Sequence, residues 1–187
     1  TITPPLNGEI TGIKEFYAKY IPYSKVSGDY YDIFEMEDGR LLLFLIDITG
    51  HGVPAALYTT LTKAMLVHIL KESSTASEIM TLLNREISSI VIEGYYFPAV
   101  LLMVDSKKGE LKYVSASGPK PVIISDGNLR EFEGKGPMLG IDEDYIYEEK
   151  RINVKSGDRI YIYTDGIMAV RDNNGEIVNI REEQIEE

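Results

Sequence analysis

The chain has 187 residues, a formal net charge of −11 and no cysteine. Its length allows one domain with a substantial core and not two large ones, and the missing cysteine excludes disulfides, thiolate metal sites and cysteine nucleophiles and fits a reducing compartment. The acidic balance argues against nucleic acid, whose phosphate backbone is bound by clustered Lys and Arg.

An apolar fraction of 44% is that of an ordinary globular protein. No apolar run is long enough to cross a bilayer and no signal-peptide pattern opens the chain, so a soluble cytoplasmic domain is expected. The start at Thr1-Ile2-Thr3-Pro4-Pro5, without Met, points to one domain, residues 1–187, cut from a longer regulatory protein.

Residues 1–10 are punctuated by Pro and Gly and read as a linker or edge. Residues 13–20 (IKEFYAKY) alternate roughly and predict an amphipathic strand. Ser27-Gly28-Asp29-Tyr30-Tyr31-Asp32 opens a second strand, and Glu37-Asp38-Gly39 predicts a hairpin turn into Leu41-Leu42-Leu43-Phe44-Leu45-Ile46. That short apolar run reads as a strand buried on both faces. Antiparallel pairing of the two strands would bring Asp29 close to Asp47.

A helix is predicted over 53–70, with Pro54 in its first turn, where Pro is tolerated. Val53, Leu57, Leu61 and Met65, with His68 at the end, recur at helical spacing and predict its buried stripe. A second helix, capped by Ser or Thr, is expected over 75–92 with Ile79, Leu82, Leu83, Ile87 and Ile90 inward. The period then changes. Residues 98–105 and 110–116 read as one hairpin, 121–125 and 129–132 as another, and 145–154 and 159–163 as two further strands. From Glu176 the chain is polar and predicts helix. Hairpins with grouped helices indicate an α+β fold of antiparallel sheets sandwiched by helices.

Asp47 ends the buried strand and is followed by Gly50, His51 and Gly52; Asp165 ends the apolar strand 160–163, and Asp29 follows Gly28. A carboxylate at the mouth of a buried strand is costly to desolvate unless paired or bound to a metal. Hard cations such as Mg²⁺ and Mn²⁺ take oxygen ligands from a few carboxylates, carbonyls and waters. Asp-Gly pairs are also ordinary turn formers, the reading preferred at Asp38-Gly39, Asp126-Gly127 and Gly157-Asp158. The apolar strands before Asp47 and Asp165 favour a functional role there; at Asp29 the same reasoning leaves both readings open. His51 is open as a proton donor, an orienting group or a structural hydrogen bond across the turn. His68 is expected at a core or boundary position. The sequence carries no phosphate-binding loop, dinucleotide fingerprint or zinc-protease motif.

Taken together, SGDYYD (27–32), DITGHGVPAAL (47–57), ASGPKPVII (116–124), GPMLGI (136–141) and YTDGIMAV (163–170) resemble the bacterial SpoIIE/RsbU-like branch of the metal-dependent PPM (protein phosphatase 2C-like) serine/threonine phosphatases. The resemblance implies a four-layer αββα sandwich of two mainly antiparallel sheets flanked by helices. It also implies two Mn²⁺ or Mg²⁺ ions, with Asp47 bridging them, the Ile48 carbonyl as a further ligand, Asp165 on the second ion, and Asp29 ligating directly or through water. By that likeness Asp29, Asp47 and Asp165 are the catalytic residues, serving attack of a metal-activated water on phosphoserine or phosphothreonine. The implied substrate is a phosphorylated anti-sigma-factor antagonist in stress or sporulation signalling. An N-terminal sensor or receiver domain is the implied neighbour, and homodimerisation is left open. The sequence departs from the family in having Ser27 for a second glycine, in Lys120, and in lacking a late Asp-Asp-x-Thr strand whose aspartate completes the second metal site; Asp172 is a poor substitute. That last departure motivates a second reading, a PPM-like interaction module with little or no turnover. A third is a phosphatase of small phosphorylated metabolites.

Overall fold

The computed structural model of the chain describes residues 12–22, 27–132, 134–171 and 177–179. Five antiparallel strands form the main sheet in the order β1-β2-β3-β4-β7: β1 (Asp29–Glu35), β2 (Leu41–Asp47), β3 (Ala99–Asp105), β4 (Glu110–Ala116) and β7 (Lys150–Asn153). A three-stranded sheet, β6-β5-β8, is built from β5 (Val122–Ser125), β6 (Asn128–Glu131) and β8 (Arg159–Tyr161). Helices α1 (Val53–Ile69) and α2 (Ala76–Ser88) pack together.

Alternation along β2 explains the layering. Leu42, Phe44 and Ile46 join a core that holds the buried face of both helices. Leu41 and Leu45 join a second core with Ile123 of β5 and Phe132, against which Ile160 of β8 packs. The main sheet therefore lies between the helices and the smaller sheet, and β2 is buried on both faces as its composition predicts. The α+β class and the antiparallel pairing agree with expectation; among the described residues the helices cover one outer face.

α2 follows its pattern. Thr75 caps it, its hydroxyl accepting from the Glu78 amide at 3.2 Å, and Ile79, Leu83 and Ile87 are fully buried. α1 does not. Most of the stripe expected inside is outside: Val53 is 66% exposed, Leu57 60% and Leu61 45%, and His68 is exposed, while Met65 alone packs half-buried against the core. The face turned to the sheet carries Ala55, Tyr58, Thr59, Thr62, Leu66 and Ile69. α1 carries apolar residues on both faces, so periodicity cannot choose between them.

Three other expectations need correction. Residues 13–20 form no strand and make only isolated bridges at Ile13 and Tyr17. Ile13 packs on the second core while Tyr17 faces solvent. Residues 145–149 join no strand, because α2 holds the backbone of Tyr147: its amide donates to Thr81 Oγ1 at 3.1 Å, and Ser77 Oγ donates to its carbonyl at 2.5 Å. The helix expected from Glu176 begins instead as β10 (Ile177–Asn179), paired antiparallel with β9 (Ala169–Arg171). Asp172 and residues 180–187 lie outside the described residues.

Residues 154–158 carry the chain from β7 of one sheet to β8 of the other. The Val154 amide donates to the Gly109 carbonyl in the β3–β4 turn at 2.9 Å, and Lys155 pairs with Asp126 in the β5–β6 turn. From this end of the molecule β8 runs back toward Thr164 and Asp165.

Candidate active site

The register of the first hairpin assembles the site. Asp29 and Asp47 are direct partners across β1 and β2, at the end of the sheet where β2 emerges from the core. The third acid arrives from the other sheet. After β8 the chain turns into a short 3-10 helix, Asp165–Met168, and Thr164 Oγ1 donates to Asp29 Oδ2 at 3.2 Å. The charge of Asp165 is felt at both other carboxylates. The three acids singled out from the sequence are thus brought to one rim.

The loop after Asp47 is held on both sides. The Asp47 amide donates to the Pro98 carbonyl at 3.0 Å and the Thr49 amide to the Tyr96 carbonyl at 3.0 Å. Thr49 Oγ1 accepts from the Tyr96 amide at 2.8 Å. Gly50 and Gly52 have φ of 96° and 78°, left-handed backbone that glycine adopts readily, and they release the chain into α1. On the other side the Ile48 amide donates to the Gly28 carbonyl at 3.2 Å. A side chain at position 28 would stand 2.2 Å from the Ile48 carbonyl oxygen, so only glycine permits this approach. Ser27, where the resembled family has glycine, adds a contact of its own: its hydroxyl accepts from the Asp29 amide at 3.2 Å. The Tyr20 hydroxyl donates to the Asp29 carbonyl at 3.2 Å. His51 is exposed on the loop.

Burial pushes the Asp47 carboxyl up to about 7, and the neighbouring Asp29 and Asp165 charges add to it. Asp29 is raised in the same way by burial and by Asp165, while its hydrogen bonds with Asp47 and Thr164 pull it down. Two buried carboxyls raised by burial and by the charge of a third acid favour a cation among them. The donor set is all oxygen, the chemistry of Mg²⁺ and Mn²⁺ rather than of a thiolate metal. Among the described residues no group of three His, Asp or Glu side chains closes into a metal cage, so an ion here would keep water and main-chain ligands as well, as Mg²⁺ usually does.

Pattern reading missed Thr164, and also Asp32, which is 5% exposed and meets Lys63 of α1 at 2.9 Å. Thr164 opens the Asp165-Gly166 turn, its carbonyl accepting from the Ile167 amide at 3.3 Å, but nothing in the pattern links its hydroxyl to Asp29. The only signal for Asp32 was a carboxylate at a core-facing strand position, opposite Phe44. A separate cavity of about 260 Å³ involves Arg40, Lys107 and Lys112 near the β1–β2 and β3–β4 turns, at the far end from the acids. Arg40 there pairs with Asp38, and Lys112 with Glu149.

The sequence matches the family model described as Stage II sporulation protein E (SpoIIE) over residues 37–186, a range that begins after Asp29. It is similar to the phosphoserine phosphatase RsbU of Bacillus subtilis (strain 168), 27% identical over 157 residues that cover 83% of this chain and 47% of that protein. Its fold matches the SiaA-PP2C domain of Pseudomonas aeruginosa with a TM-score of 0.69 and 27% identity, covering 79% of this chain and 59% of that one. The RsbU and RsbW domains of Rv1364c from Mycobacterium tuberculosis match with a TM-score of 0.69 and 26% identity, covering 78% of this chain and 41% of that one. The chain spans about half the length of the curated relatives it matches.

Proposed function

This chain belongs to the SpoIIE family, and from that premise we propose that it is a metal-dependent protein phosphatase domain acting on phosphoserine or phosphothreonine. The observation that carries the reading is the placing of Asp29 and Asp47 face to face across β1 and β2, with Asp165 delivered to them from the second sheet. Asp47, Asp165 and Asp29, with the Ile48 carbonyl, are the groups that would hold Mn²⁺ or Mg²⁺. Such ions supply an acidified water and neutralise charge on the phosphoryl oxygens. The chain's own part is positioning. Thr164 orients Asp29, Thr49 and the Pro98 carbonyl hold the Asp47 loop, and Gly28 lets Ile48 lie against β1. The local cation would also reverse the sign of a surface that otherwise repels phosphate. The substrate class proposed is a phosphorylated regulatory protein of the anti-sigma-factor-antagonist type, in partner-switching signalling.

Phosphate release from a phosphoserine protein should require added Mn²⁺ or Mg²⁺, and Asp47→Asn should abolish it. Full activity in excess chelator would overturn the reading. Asp47 also gives a pH signature. Its folded-state pKa is raised, so the folded protein binds the proton more tightly than the unfolded chain. In chelator, stability should therefore fall as pH rises between the ordinary carboxylate value of 3.8 and about 7. Added Mn²⁺ should reverse that loss, as thermal melts at pH 5 and pH 7.5 would show. A second reading, an interaction module without turnover, draws on the open donor set. It would be established by stoichiometric partner binding with no phosphate released in Mn²⁺.

A further inference from the structure

The face of α1 that meets the sheet carries one charged anchor. Lys63 Nζ lies 2.9 Å from Asp32 Oδ2 and 5.9 Å from the centroid of the Tyr30 ring. Asp32 is almost fully buried, and its carboxylate is otherwise satisfied by the Tyr30 hydroxyl at 2.5 Å and the Ile33 amide at 2.9 Å. A buried carboxylate paired with a half-exposed lysine contributes little net stability compared with an apolar pair of the same shape. What such a pair can supply is register, since a buried carboxylate left without its partner is strongly penalised.

The second anchor lies at the site. Ala55, in the first turn of α1, is fully buried, and its methyl group would be 3.4 Å from a Cβ at Gly28, beside the Ile48 carbonyl. α1 and β1 both run away from this end. From Ala55 to Lys63 is eight residues, about 12 Å of helix. From Gly28 to Asp32 is four residues, about 13 Å of strand. The two spans match, so α1 is pinned along β1 at two points. Sliding it by one turn, about 5.4 Å, would break the outer pin and lift Ala55 off Gly28.

We propose that Lys63 and Asp32, with the Tyr30 hydroxyl, are positioning residues: they hold α1 in register on β1 and thereby place the Ile48–Gly52 loop that follows Asp47. This rests on the metal-dependent reading of the acids, because a displaced loop matters most to an ion bound beside it. The pair itself touches neither the acids nor substrate. It acts through the helix.

The test uses the 187-residue chain and Mn²⁺ alone, titrated while free Mn²⁺ is followed by electron paramagnetic resonance. Lys63→Met and Asp32→Asn should each weaken Mn²⁺ binding by about threefold to thirtyfold, the range for residues that act on a site through an intervening element. Lys63→Arg, which keeps the charge, should bind nearly as the parent does. Leu83→Ala in α2 is the control: it should lower the melting temperature while leaving Mn²⁺ affinity unchanged. Parent-like affinity in Lys63→Met, or an equal loss in Leu83→Ala, would overturn the proposal. A parent that binds no Mn²⁺ would instead remove the metal-dependent reading. Amide exchange over residues 48–56 then decides, since Lys63→Met should accelerate it selectively and Leu83→Ala should not; unchanged exchange in Lys63→Met would overturn the positioning role.

Discussion

Helices α1 and α2 lie side by side over the same core, yet they are specified in different ways. In α2 the apolar residues recur on one face and charged residues occupy the other, so the hydrophobic pattern by itself picks out the inward face, which Ser77, Thr81 and Asn84 then tie to the loop beyond it. In α1 both faces are apolar, and the inward one is chosen by fit: Ala55 against Gly28, Tyr58 against Tyr95 and Phe97 with ring centroids 4.9 and 5.0 Å away, and Lys63 on Asp32. The difference teaches that a helix next to a chemical site can be held by close contacts and a charge, leaving large aliphatic side chains outside.

The largest effects should fall on side chains that both modes bury. Leu83→Ala in α2 and Leu66→Ala in α1 each empty a fully buried position, and each should cost about 2–5 kcal/mol in urea denaturation. A much smaller loss for Leu66→Ala would mean that α1 is not packed as described. Gly28→Ala separates the helices next. Forcing a methyl group against the Ile48 carbonyl should cost about 1–3 kcal/mol, and amide exchange should rise around residues 48–56 while α2 stays protected. Thr75→Ala removes the α2 cap and should cost about 1 kcal/mol, seen as fraying of its first turn by NMR. α1 has no side-chain cap to lose, because Gly52 stands there. Smallest of all, Leu57→Ser on the exposed face should leave stability within about 0.5 kcal/mol. A large loss of melting temperature there would restore the stripe inferred from periodicity.

The parts of the molecule governed by local chemistry were readable in advance. Glu37-Asp38-Gly39 made a hairpin, the apolar run of β2 made a strand buried on both faces, and together they placed Asp29 opposite Asp47. The positions that escaped were settled by partners distant in sequence. Tyr147 has no strand neighbour because Thr81 and Ser77, more than sixty residues earlier, bond its backbone. Asn84, fully buried in α2, clamps the Gly140 amide at 2.8 Å and the Asp142 carbonyl at 2.7 Å. Asp165 could be named from its strand–Asp-Gly context, but not its route to Asp29, which needs Thr164 and the change of sheet. Lys63 carries no signal in the helix pattern, because its partner Asp32 lies on β1, thirty-one residues earlier.

The crossover at residues 154–158 gives the molecule a ruler. It is tethered to turns at one end of both sheets, and the run from Arg159 to Asp165 measures off the full depth of the structure to the opposite rim. An extra residue inserted at Ser156-Gly157 would only enlarge a surface turn. The same residue inserted between Tyr161 and Thr164 would advance everything beyond it by about 3.3 Å and reverse its facing, so the tolerance of this segment to insertion is graded by its distance from the rim.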